Sequence, residues 1–416
     1  MKGSIRQPPS ARDFSLYEGD LVNRFFGAIG LGPRKVSHLA ARALILMLVT
    51  WVPTAGLALW GGHASLVVDA SNFFADYAAY AQFLVGLPLF VVAEAVASRA
   101  TRSAGIELAM SGVVKAKDLA GLKAINGTVA RARRSWISDL VCLLIAISLS
   151  AAVIGSELYN LHQANDPMAL TWHAVFSASG WHISKPGWWE FGVALPLLNY
   201  WWLRQIWKIV LWTWYLYRVS RFRLDLVPTH PDRTAGIAFI STVQGHFAWL
   251  ILAYGVSNVA ATVGYKIAVE GAPIWLPPVW GPILGFIVIA PTLFLLPLFM
   301  FTRQLARAKT WALLRYGERV RAHSALFEAE VLKRQKITEA TQPSVIDVAV
   351  MDQVAKQFDR IEHMRVVPFD FRSMAQLFGA TLGSVTTILP ALKIEVPATK
   401  FLEALVKLLE YFGGGH

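Results

Sequence analysis

The chain has 416 residues, 55% of them hydrophobic and only 16% charged, with a mean hydropathy of +0.46. A soluble domain is about 25% charged and about 45–50% apolar, so this composition, with several uncharged apolar runs of about 20 residues, excludes an ordinary soluble enzyme and points to a membrane. The net charge of +12 does not point to nucleic acid, because the cations fall in alternate loops, as the positive-inside rule produces.

No zinc-finger spacing, heptad-linked basic region or aromatic RNA-binding motif accompanies that charge, so a surface of anionic lipid is the expected partner and nucleic acid is not. Cys142 is the sole cysteine, which rules out an intrachain disulfide and a cysteine-based metal cluster. About 36 largely polar residues precede the first apolar run, so no signal peptide is expected.

Residues 1–36 read as a cytoplasmic tail with a short amphipathic piece around Leu16–Phe26. Residues 37–302 read as a transmembrane bundle. Its spans are predicted at about 39–59, 80–96, 137–154, 191–217, 237–265 and 279–301. The loop 99–134 carries Arg99, Arg102, Lys115, Lys117, Lys123, Arg131, Arg133 and Arg134 and is placed in the cytoplasm. The loop 157–190 has one Lys185 and four tryptophans, and is placed outside as part of an aromatic belt. Six spans then put both flanking regions in the cytoplasm.

Residues 303–370 are charged and helix-prone, and form a cytoplasmic helical region broken at Pro343. Within 371–416, Ser373–Leu392 runs without charge and reads as a seventh span, a re-entrant piece or a helix buried against the bundle. Thr399–Phe412 is amphipathic and suits a membrane surface or a neighbouring helix. The fold class is therefore all-α, a polytopic helical membrane protein of six to seven spans with cytoplasmic helical extensions.

Charge at bilayer depth costs a few kcal/mol, so Arg204 and Lys208 are the least expected residues in the chain. At i and i+4 they share one helix face, about 6 Å apart. Tyr215 and Arg218 continue that face. A basic lining of this kind attracts an anion. The plainer reading has Lys208 snorkelling to the surface and Arg204 paired with a carboxylate, with Glu94 and Asp139 as available partners. Arg221, Arg223, His230, Asp232 and Arg233 would form an inner mouth, although Thr229–Arg233 also reads as a turn capping the next helix. Gln244, His246 and Asn258 on the fifth span either line the pathway or hydrogen-bond between helices. Pro282, Pro291 and Pro297 suggest kinks in the sixth.

Enzyme signatures are missing: no Walker-type loop, no His-Glu-x-x-His, no Gly-x-Ser-x-Gly. His162, Asp166, His173 and His182 could bind a metal by number alone, without a recognisable spacing. No cofactor and no metal site is expected.

Three stretches, Arg204-Gln-Ile-Trp-Lys208 followed by Val227-Pro-Thr-His-Pro-Asp-Arg-Thr-Ala-Gly236, then Tyr316-Gly, then His363-Met-Arg-Val-Val-Pro-Phe369 preceded by Asp347, resemble a group of uncharacterised bacterial multi-spanning inner-membrane proteins. That resemblance implies a bacterial inner-membrane location and a proline-containing hydrophobic C-terminal helix, matching Pro390 and Pro397, and it implies no activity. The leading expectation is an oligomeric channel for a small anion. The alternatives are a membrane scaffold or sensor whose cytoplasmic helices dock a partner, a secondary transporter, or a lipid enzyme of the membrane.

Overall fold

A computed structural model describes residues 14–17, 19, 21–32, 35–63, 72–164, 171–177, 180–268, 277–334 and 345–388. The expected amphipathic segment 399–412, Pro390, Pro397 and Asp166 lie outside these residues.

Among the described residues, five helices are long and apolar enough to cross a membrane: α2 (Val36–Trp60), α3 (Tyr77–Met110), α5 (Trp136–Gln163), α7 (Ala238–Ile267) and the start of Pro277–Leu326. Between and around them lie α1 (Leu21–Ala28), α4 (Leu119–Arg133) and α6 (Leu195–Ser220). The last apolar stretch divides into α8 (Pro277–Leu295), a 3-10 turn (Leu296–Phe301) that opens at Pro297, and α9 (Thr302–Arg334), after which come α10 (Val345–Glu362) and α11 (Phe371–Thr386). The chain is thus an all-α helical membrane protein, with one small hairpin of β1 (Ala174–Ser177) and β2 (Gly180–Ile183) among the described residues.

Burial orders the bundle. The apolar window of α7 is 83% buried against 17% for α5, so α7 is the central helix and α5 the peripheral one. α6 has 26 residues, about 39 Å of helix, but its Trp, Tyr, Arg, Gln and Lys side chains leave it less apolar than the five. It runs antiparallel to α5, with Asn199 donating to Ser150 Oγ at 3.2 Å and Tyr200 OH to Asp139 at 3.1 Å.

α11 has 16 residues, about 24 Å, and runs parallel to α7. Ser373 Oγ donates to Ser241 O at 3.0 Å at one end, Ser384 abuts Gly255 midway, and Ile388 packs with Ala260, Val263 and Val279 at the other. Tyr77 OH also donates to Thr387 O there. The described part of Ser373–Leu392 thus packs along α7, and residues 389–392 lie outside the described residues.

Two predicted boundaries move. The second span continues as helix to Met110, into what the charges mark as a loop. The amphipathic piece expected around Leu16–Phe26 forms α1 (Leu21–Ala28) in part and is packed rather than lying apart: Phe14, Leu16, Tyr17 and Phe26 are each 2% exposed or less.

Candidate functional site

One face of α6 carries two buried cations. Arg204 and Lys208 are 2% and 1% exposed, and each meets a carboxylate from another helix. Arg204 Nε lies 3.0 Å from Asp139 Oδ1 on α5, while its Nη1 donates to Ser138 Oγ at 3.2 Å and its Nη2 to Arg133 O at 3.3 Å. Lys208 Nζ lies 3.3 Å from Glu94 Oε1 on α3 and 4.6 Å from the centre of the Tyr17 ring. Stripping two ions of water costs several kcal/mol each, so such pairs persist only where further hydrogen bonds complete them.

Those further bonds come from α4, α5 and α6 and, for Glu94, also from the N-terminal segment. Asn23 donates to Glu94 Oε1 at 2.7 Å and accepts from Arg42 Nη1 at 2.8 Å. Gln205 Nε2 reaches the other carboxylate oxygen of Glu94 at 2.9 Å. Arg133 donates to Ser15 O. A cavity of about 10 Å³ beside Tyr17, Asn23, Arg42 and Glu94 has room for about one water. Further along the face, Phe14 packs 4.5 Å from Tyr215 and 6.2 Å from Trp212. α3 accommodates that ring at Gly105, where a Cβ would fall 2.5 Å from it. On this face Lys208 and Tyr215 are overlain by Tyr17 and Phe14 of the N-terminal segment, whereas Arg204 is held by α5 and the Arg133 carbonyl.

The other expected site residues are spread more widely. Arg218 is exposed and lies over the Trp214 ring. Arg221, Arg223, His230 and Arg233 are exposed at the same end of the bundle. Asp232 organises a turn, accepting from the N–H groups of Thr234 (2.9 Å), Gly236 (3.0 Å) and Ala238 (3.1 Å). Burial alone would raise its pKa, but those N–H groups hold the carboxyl below the usual carboxylate range. The turn needs such an anchor, because Arg233 and Ala235 both take positive φ, 58° and 57°. Arg365 N donates to Arg233 O at 2.7 Å, which joins the Val227–Gly236 and His363–Phe369 stretches. Gln244 is buried, whereas His246 is half-buried with Nδ1 2.7 Å from Thr242 O. Asn258 donates to Ser257 Oγ at 2.8 Å within its own helix.

A second buried polar cluster sits at the opposite, tryptophan-rich end. His173 is gripped from both sides, Nδ1 2.9 Å from Glu157 Oε1 and Nε2 3.0 Å from Glu190 Oε2. Burial opposes its charge, but the carboxylates of Glu190 and Glu157 outweigh that and hold its pKa well above the usual histidine range. Asp76 accepts from Trp172 Nε1 at 3.0 Å, and burial raises its pKa. Both imidazole nitrogens face carboxylates, which leaves none directed at a metal. His162 bonds instead to Leu158 O, and among the described residues no three His, Cys, Asp or Glu side chains are arranged to hold a metal ion.

Sequence reasoning missed two participants. The sequence marks Leu16–Phe26 as amphipathic but gives no sign that it packs against α3 and α6. Gln205 lay between the two noticed cations without drawing attention.

Long apolar helices enclosing a buried polar face place the chain among helical membrane proteins. No protein-family model, no curated protein and no solved structure matches it.

Proposed function

We propose that the chain is a bacterial inner-membrane conduit for a small anion, held closed in this conformation by its own N-terminal segment. The observation that carries this reading is what covers the basic face. Lys208 and Tyr215 lie along α6 beneath Tyr17 and Phe14, a short piece of chain that can leave without unpacking any two long helices, while Arg204 on the same face is held by Asp139 and Ser138 of α5. With that piece withdrawn, the face opens toward the end where Arg218, Arg221, Arg223 and Arg233 are exposed. Those cations mark that end as cytoplasmic under the positive-inside rule. They would concentrate anions at the mouth, and the guanidinium and ammonium groups would replace part of the hydration shell inside.

The test is flux in liposomes, with chloride and potassium gradients applied separately to the whole chain and to a chain lacking residues 1–32. The reading expects chloride flux that rises on truncation and potassium flux that stays at background. Truncated protein that is folded but carries neither ion overturns it.

A scaffold is the second reading, favoured by one feature. α9, 33 residues long, leaves the bundle with Trp311 and Leu314 exposed and α10 packed on it. Absence of flux from folded protein would favour this arrangement, with the exposed stripe as its docking face.

A further inference from the structure

We infer that His173 and Glu190 form a proton-binding site at the tryptophan-rich end of the bundle, opposite the end where the arginines are exposed. Asp76, His173 and Glu190 are 3%, 7% and 5% exposed, and Glu157 joins them from α5. Tyr80 of α3 lies within range of the Asp76 charge, and the Tyr265 ring of α7 is 6.3 Å from the imidazole. Lys185, the nearest cation along the chain, is exposed and lies over the Trp60 ring instead. Three ionised carboxylates around one imidazolium leave two net negative charges. Buried like charges do not all ionise together, so one of the three carboxylates takes a proton.

The supply of donors selects Glu190. Asp76 accepts from Ala78 N at 2.7 Å and from Trp172 Nε1 at 3.0 Å, and Glu157 accepts from Thr171 Oγ1 at 3.1 Å besides facing His173. Glu190 Oε2 meets His173 Nε2 at 3.0 Å and, among the described residues, no other donor. Burial accordingly pushes its carboxyl above the usual carboxylate range against the pull of the imidazole. The proton comes from water and converts the carboxylate to a neutral carboxyl. Glu157, with 20% of its side chain exposed, is where the cluster meets water.

Loading changes the field along α6. Glu190 opens the π-helical turn that leads into α6, about 21 Å of helix before Arg204. Unloaded, the cluster carries two net negative charges and repels an anion, whereas loaded it carries one. This consequence rests on the conduit reading, under which acid on that side raises anion flux.

Infrared difference spectra of the full chain in nanodiscs, recorded as pH falls from about 8 to about 5, test the site directly. The inference expects the C=O stretch of a buried carboxyl to appear and to vanish in Glu190→Gln. In Asp76→Asn it should persist with its midpoint moved to lower pH, because a neighbouring negative charge is gone. Each variant is first shown to melt cooperatively. Chloride flux through Gly105→Leu in liposomes is the second readout. Acidifying the bath should raise it about fivefold, the weight of one unit charge met at contact distance in water, and Glu190→Gln should remove the response. No carboxyl band, or a band unaltered by Glu190→Gln, would overturn the site. The expected band with chloride flux indifferent to pH would overturn its role in the conduit. The expected band in protein that carries no chloride at any pH supports the site and counts against the conduit reading alone.

Discussion

Lys208 and Glu94 meet 3.3 Å apart with side chains 1% and 8% exposed, bridging α6 and α3. Glu94 also receives Asn23 and Gln205, so its charge is satisfied from three directions, and removing the ammonium alone strands it. Lys208→Met should destabilise by about 3–5 kcal/mol, the cost of a buried charge left uncompensated. Glu94→Gln with Lys208→Met should recover most of that, because the double variant buries no ion. Thermal unfolding of the four members of this cycle in detergent measures the coupling. A double variant as unstable as the sum of the singles would show that the pair contributes nothing as a pair.

His173 makes stability depend on pH in a defined direction. Its folded pKa is raised by Glu190 and Glu157 against the effect of burial, so the folded state holds a proton that the unfolded state releases above about pH 6.5. The stabilisation is therefore complete below that pH and is lost as pH rises toward the folded value. The melting temperature should fall across that window, with a smaller slope in His173→Gln. Asp76, whose pKa burial raises, faces the same cluster, and Asp76→Asn separates its share.

The turn after α6 stores strain at Ala235, whose φ is 57°. A non-glycine residue there costs about 1–2 kcal/mol. Glycine also raises the entropy of the unfolded chain, so Ala235→Gly should stabilise by about 0.5–1 kcal/mol. Asp232→Ala, which removes the acceptor of three N–H groups, should instead destabilise by roughly 2 kcal/mol. Melting of the two variants gives opposite signs if the turn is strained and anchored as described, and like signs if it is not.

The bundle was largely legible in the sequence because bilayer length and hydropathy bound it. Arg204 and Lys208 stood out for the same reason, and spacing put them on one face. The N-terminal cover was not legible, because nothing local says that Phe14 fits against Gly105 or that Asn23 meets Glu94, 71 residues away. α6 shows the converse, since its polar face lowers its hydropathy below that of the five apolar helices yet fits it to pack along α5. The Glu157–His173–Glu190 cluster looked like scattered loop charges, because three separate segments supply it.

The N-terminal cover is also the point at which the conduit reading is most exposed. Gly105→Leu adds a side chain where a Cβ alone already falls 2.5 Å from the Phe14 ring, so it should expel the segment while leaving Arg204 and Lys208 intact. The account predicts that chloride flux into liposomes rises above wild type in Gly105→Leu, and that Arg204→Glu in the same chain abolishes the increase. Flux equal to wild type, in protein whose Tyr17→Cys derivative has become accessible to a water-soluble thiol reagent, would contradict it.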